Sequence, residues 1–150
     1  MGLEFDLRIA TEAEVSKVES DLANLSGVRV DPSGMSAIGL ESIVVTRPTG
    51  WASRDQIRER FAIFPVVTVS FDVDCDEDDE FGYVGVATTL ELSMRLLDSL
   101  RADALLLLNG ETPVFARVGG RLTVNSTYFA DDPRVAILGS VHSKQPMPVL

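Results

Sequence analysis

Residues 3–10 alternate: Leu3, Phe5, Leu7 and Ile9 fall on one side, Glu4, Asp6 and Arg8 on the other. That period of two predicts a strand with one wet face. Thr11-Glu-Ala-Glu14 fits a capping box, in which a hydroxyl and a carboxylate satisfy orphan amides. Val15, Val18, Leu22 and Leu25 follow at helical spacing, and Gly27 stands where a helix-ending glycine belongs. An amphipathic helix is therefore expected over 12–26. Residues 28–30 read as a short strand, Asp31-Pro-Ser-Gly34 as a turn, and residues 35–46 as one further strand in a hairpin arrangement. Ser53-Arg-Asp-Gln56 is a second capping-box pattern, opening a short helix that runs to Phe61. Val67, Val69, Phe71 and Val73 alternate with Thr68, Ser70 and Asp72, a strong strand signal.

The second half continues in the same way. Val84, Ala87, Leu90, Met94 and Leu97 recur at three and four residues, predicting a long helix over 84–101. Residues 104–108 are wholly aliphatic, as in a strand buried on both faces. Asn109-Gly110-Glu111 and Gly119-Gly120 are turn signals separating it from strands over 114–118 and 122–124. Residues 136–138 read as a last strand or a docked turn, and Gln145-Pro-Met-Pro148 as a frayed tail. The order is dominated by hairpins. It predicts an α+β fold: a mostly antiparallel sheet with two long helices and one short helix on one face, a two-layer sandwich in a single domain over 1–150.

Composition narrows the function. The 150 residues are 45% hydrophobic, enough for a sizeable core without staples. A net charge of −10 argues against nucleic acid or an anionic membrane as the partner. The single cysteine excludes an internal disulfide framework. No basic region followed by an apolar run opens the chain, so a cytoplasmic location is expected.

Candidate chemistry is sparse. No Gly-x-Ser-x-Gly elbow or phosphate-binding loop occurs. Cys75 lies among carboxylates, which disfavour a thiolate, and a dyad with His142 is a remote reading beside a strand-end thiol and an incidental histidine. No catalytic residue, metal or cofactor is assigned. The outstanding feature is Asp72-Val-Asp-Cys-Asp-Glu-Asp-Asp-Glu80, which holds seven of the chain's 23 carboxylates. An EF-hand reading fails from either start: Glu77 or Asp79 occupies the glycine position, and Tyr83 or Gly85 the position of the bidentate glutamate. Two readings stay open. One is a solvated loop feeding a helix N-terminus, where carboxylates are favoured. The other is an anionic surface for a basic partner, built from Asp74, Asp76, Glu77, Asp78, Asp79 and Glu80. Trp51, in a loop, is either an interface anchor for the same partner or a lid over the core.

Three segments resemble the swarming-inhibition immunity-like proteins of SitI type. They are Phe61-Ala-Ile-Phe-Pro-Val-Val-Thr-Val-Ser-Phe-Asp-Val-Asp74, Asp103-Ala-Leu-Leu-Leu-Leu-Asn-Gly-Glu-Thr-Pro-Val114 and Gly119-Gly-Arg-Leu-Thr-Val-Asn125. Residues 3–11 and Ser33-Gly-Met-Ser-Ala37 look similar too, so the likeness spans about 3–128. It implies a cytoplasmic protein, not an enzyme, that blocks a cognate toxin by binding it. A basic toxin such as a nuclease would suit the charge. The alternatives are a small-ligand or regulatory binding module of the same build, and a metal-assisted hydrolase using Asp72, Asp74 and Asp76.

Overall fold

The computed structural model describes residues 2–47, 54–76, 78–79 and 81–150. The strands are β1 (Leu3–Ala10), β2 (Arg29–Asp31), β3 (Gly34–Ala37), β4 (Leu40–Thr46), β5 (Val67–Val73), β6 (Asp103–Leu108), β7 (Thr112–Val118), β8 (Arg121–Asn125) and β9 (Ser143–Gln145). The helices are α1 (Val15–Ala23), α2 (Arg54–Phe61), α3 (Tyr83–Leu100) and α4 (Ser126–Phe129), followed by a 3-10 helix over Pro133–Leu138. One sheet runs in the order β2-β3-β4-β5-β1-β6-β7-β8-β9. Every pairing is antiparallel except β8 with β9. This is the expected α+β architecture.

The main core lies on the face shared by Phe5, Leu7 and Ile9 of β1, Val69 and Phe71 of β5, and Ala104 and Leu106 of β6. Val18 and Leu22 of α1 and Leu90, Leu96 and Leu97 of α3 close over it. Helix α2 does not join them. Its Ile57 clusters instead with Leu105 and Leu107, which alternate with Ala104 and Leu106 and so point the other way. A strand aliphatic at every position needs cover on both faces. The second cover is α2 together with Met147 and Leu150.

That cover corrects the expectation of a frayed tail. Asn125 is buried, and its side-chain amide donates to Pro113 O (2.6 Å) and Met147 O (3.1 Å) while its oxygen accepts from the amides of Thr127 and Met147 (3.1 Å each). Arg60 donates to the carbonyls of Pro148 and Val149, and Leu150 N–H to Glu111 O. A tail that supplies Met147 to a hydrophobic cluster and satisfies its backbone is held.

Other differences have local causes. Thr11 accepts from Ala13 N–H at 3.1 Å, a turn closed two residues on, so α1 begins at Val15 rather than at residue 12. The strand expected over 35–46 folds back at Ile38-Gly39 into β3 and β4, with Ala37 opposite Leu40. Residues 136–138 lie in the 3-10 helix, a docked turn with Leu138 buried. Ser53 of the second capping-box pattern lies outside the described residues.

Helix α3 is turned relative to its sequence stripe. Val84 is 46% exposed, and Gly85, Val86, Thr89, Leu90, Leu92, Ser93, Leu96 and Leu97 are buried. The cause is a close approach of backbones. A Cβ on Gly85 would stand 2.3 Å from Gly39 O and 2.7 Å from Val73 Cγ1. Only glycine lets the helix sit so near the β3–β4 turn, and Gly39 itself has φ +77°.

Two predictions follow from this packing. Gly85→Ala should lower unfolding stability by about 1–3 kcal/mol or more, read by urea denaturation, because the nearest neighbour is the Gly39 backbone, which cannot swing away as a side chain can. Asn125→Ala should cost about 1–3 kcal/mol for the groups left unpaired, and amide exchange should accelerate at Met147 and Leu150 more than at Leu105.

Candidate functional site

The acidic segment connects β5 to α3. The amide of Asp74 donates to Gly39 O at 2.9 Å, which ties the loop to the β3–β4 turn. Asp76 Oδ1 accepts from the amides of Asp78 (2.9 Å) and Asp79 (2.8 Å). The Asp79 carboxylate accepts from Tyr83 N–H (2.8 Å) and Val84 N–H (3.0 Å). These are orphan donors of the first helical turn, so Asp79 caps α3 from outside it. Two of the predicted partner-binding carboxylates thus hold local backbone. Asp74 and Asp78 are exposed and make no side-chain hydrogen bond or ion pair among the described residues. Glu77, Glu80 and Trp51 lie outside the described residues.

A second group of carboxylates adjoins the loop on the sheet. Glu4 of β1 stands opposite Asp72 of β5, and Asp6 lies two residues along on the same face. Asp6 is buried, accepts from the Ser70 hydroxyl at 2.8 Å and pairs with Arg8 at 3.6 Å. The expected wet face of β1 is therefore half covered, because β1 is a central strand flanked by β5 and β6. Burial, then the negative charges of Asp6 and Asp72, then a hydrogen bond with Asp6, push the Glu4 carboxyl above the usual range. Nothing in the sequence of β1 alone marks this cluster; the antiparallel register with β5 creates it.

The helix start carries an apolar feature that the helical spacing did not isolate. Phe81 is 61% and Tyr83 56% exposed, beside the exposed Val84. Their rings lie 5.8 Å apart, and the Arg134 guanidinium sits 5.2 Å from the Tyr83 ring centre. Arg134 is neutralised by Asp132, whose carboxyl it holds below its ordinary range through side-chain hydrogen bonds. Two aromatics around a glycine directly after an acid-rich run were the available signal.

The remaining sequence candidates separate in space. Cys75 packs partly into the main core at the end of β5, whereas His142 is exposed before β9. Strands β1, β6 and β7 stand between β5 and β8, so no Cys75–His142 dyad forms. Gly119 and Gly120 make the β7–β8 hairpin with φ +58° and +79°. Among the described residues, no group of three or more histidines, cysteines and carboxylates is placed to hold a metal ion, Asp72, Asp74 and Asp76 included. Nor is any described helix long and apolar enough to cross a membrane.

A family model described as SitI3-like matches residues 3–132. The chain belongs to the SitI3-like family, and membership suggests a protein of the immunity type. The match takes in both carboxylate groups and the whole of α3. No curated protein matches the chain, and no solved structure does.

The sheet cluster makes a pH-dependent prediction. Glu4 binds its proton more tightly in the folded chain than in the unfolded one, so it lowers stability as pH rises through its folded pKa. Glu4→Gln should raise stability at pH 7 by about 0.2–1 kcal/mol, at the low end given solvent screening. The gain should fade below about pH 4, where the unfolded carboxyl is also protonated. Thermal melts of both proteins at pH 7 and pH 4 check this.

Proposed function

We propose that this chain is a cytoplasmic immunity protein that binds and neutralises a cognate protein toxin and performs no reaction of its own. The observation that carries the reading is membership of the SitI3-like family across most of the chain. Two features support it. The net charge of −10 is concentrated, with Asp74 and Asp78 presenting carboxylates that nothing described neutralises. A basic toxin, such as a nuclease with a groove for phosphates, is the partner whose field such a surface would meet. Glu4 and Asp72 extend the negative surface from the loop onto the sheet.

One feature favours a second reading, a small-ligand module. An open groove of about 590 Å³ runs between α1 and the β2–β4 hairpins, with Val30, Met35, Ile43 and Ala23 among its lining residues. Its apolar lining suits a compact organic ligand.

Co-production with candidate toxin polypeptides, beginning with any encoded next to this chain's gene, separates the two. An immunity protein should restore growth to cells making the toxin and co-purify with it as a defined complex. Its association rate should fall steeply as ionic strength rises from about 0.05 to 0.5 M. Absence of both complex and protection overturns the proposal.

A further inference from the structure

We propose that the start of α3, with Phe81 just before it, is the anchor of the partner interface: Phe81, Tyr83 and Val84 would enter an apolar recess on a protein whose surrounding surface is rich in lysine and arginine. This rests on the immunity reading and names the surface that performs it.

Three large apolar side chains within four residues are exposed by 61%, 56% and 46%, and the rings of the first two meet at 5.8 Å, a concentration rather than scattered surface residues. Aromatic residues at the centre of an interface contribute most of its binding energy when a rim of other contacts excludes water. The patch is also held in place. The Asp79 carboxylate grips the amides of Tyr83 and Val84, Arg134 stacks on the Tyr83 ring, and Gly85 beneath is fixed against Gly39. The backbone that carries Tyr83 and Val84 is thus set before binding, so less ordering is left to be done on contact.

Charge selects the occupant. The loop entering the patch presents Asp74 and Asp78 to solvent with no ion pair among the described residues. A second copy of this chain would bring the same carboxylates against them and be repelled. An uncharged apolar partner would leave them desolvated and unpaired. A cationic rim around an apolar recess satisfies both the rings and the carboxylates.

The test measures, by surface plasmon resonance, binding of the purified toxin polypeptide against which this chain protects cells in the co-production experiment. Phe81→Ala combined with Tyr83→Ala should weaken affinity by about 100-fold, chiefly through faster dissociation. Asp74→Asn with Asp78→Asn should slow association several-fold and flatten its salt dependence. Tyr83→Phe, which keeps the ring, should retain most of the affinity, and Val30→Ser in the groove beside α1 should change nothing. Unaltered thermal melts would show that the exposed variants fold. If the double aromatic variant binds within twofold of the unaltered chain, the surface is elsewhere and the immunity reading stands. If the unaltered chain forms no complex, both fall.

Discussion

A contact between two stretches of backbone places the acidic loop and everything it presents. Gly39 in the β3–β4 turn and Gly85 in the first turn of α3 approach so closely that neither has room for a Cβ. The Gly39 carbonyl also receives the Asp74 amide, so one small turn fixes the loop at its entry and the helix just past its exit. The rotation of α3 follows. With Gly85, Thr89 and Leu92 turned inward, Val84 must face out, and the Thr89 hydroxyl is satisfied within the helix by Gly85 O at 2.8 Å.

Much of the fold was legible because its strands carry clean signals. The period of two in β5, the aliphatic run of β6 and the Asn109-Gly110 and Gly119-Gly120 turns all fall where the pattern puts them. What was hidden depends on contacts distant in sequence. Asp6 reads as a wet-face residue until β1 is found between β5 and β6, two strands whose chain positions lie far from it. The tail is polar and proline-rich, yet Asn125 holds it from more than twenty residues away. The side on which α2 packs follows from the alternation within β6, which a wholly aliphatic sequence cannot display. Of the candidate site, the sequence located the loop but not the division of labour within it.

That division is chemical. Asp76 and Asp79 spend their lone pairs on amides that would otherwise be unpaired at a turn and a helix start. Glu4, Asp6 and Asp72 crowd one another across two strands, and Glu4, through burial first and these like charges second, holds its proton more tightly. Asp74 and Asp78 do neither. A run of like charge is therefore three things at once: a cap, a repulsive cluster and a free surface. The solvated-loop reading of the sequence describes Asp76 and Asp79, which bond local backbone, and the partner-surface reading is left to Asp74 and Asp78, where it is the proposal made above.

In the proposed interface, exposed carboxylates and an apolar turn would contribute differently. Exposed charges act over roughly a Debye length, about 8 Å at physiological salt, and chiefly speed and orient encounter. They add little to the lifetime of a complex once water screens them. Rings that leave water on contact act only at van der Waals range and lengthen that lifetime. A carboxylate cluster alone would attract many basic proteins briefly. Phe81 and Tyr83 alone would be a sticky patch on a small domain. Joined by Asp79, which belongs to the acidic run and accepts from the amides of Tyr83 and Val84, they would supply a rate term and a lifetime term in the proposed interface. Such a pairing would let the proposed interface select one cationic partner among many.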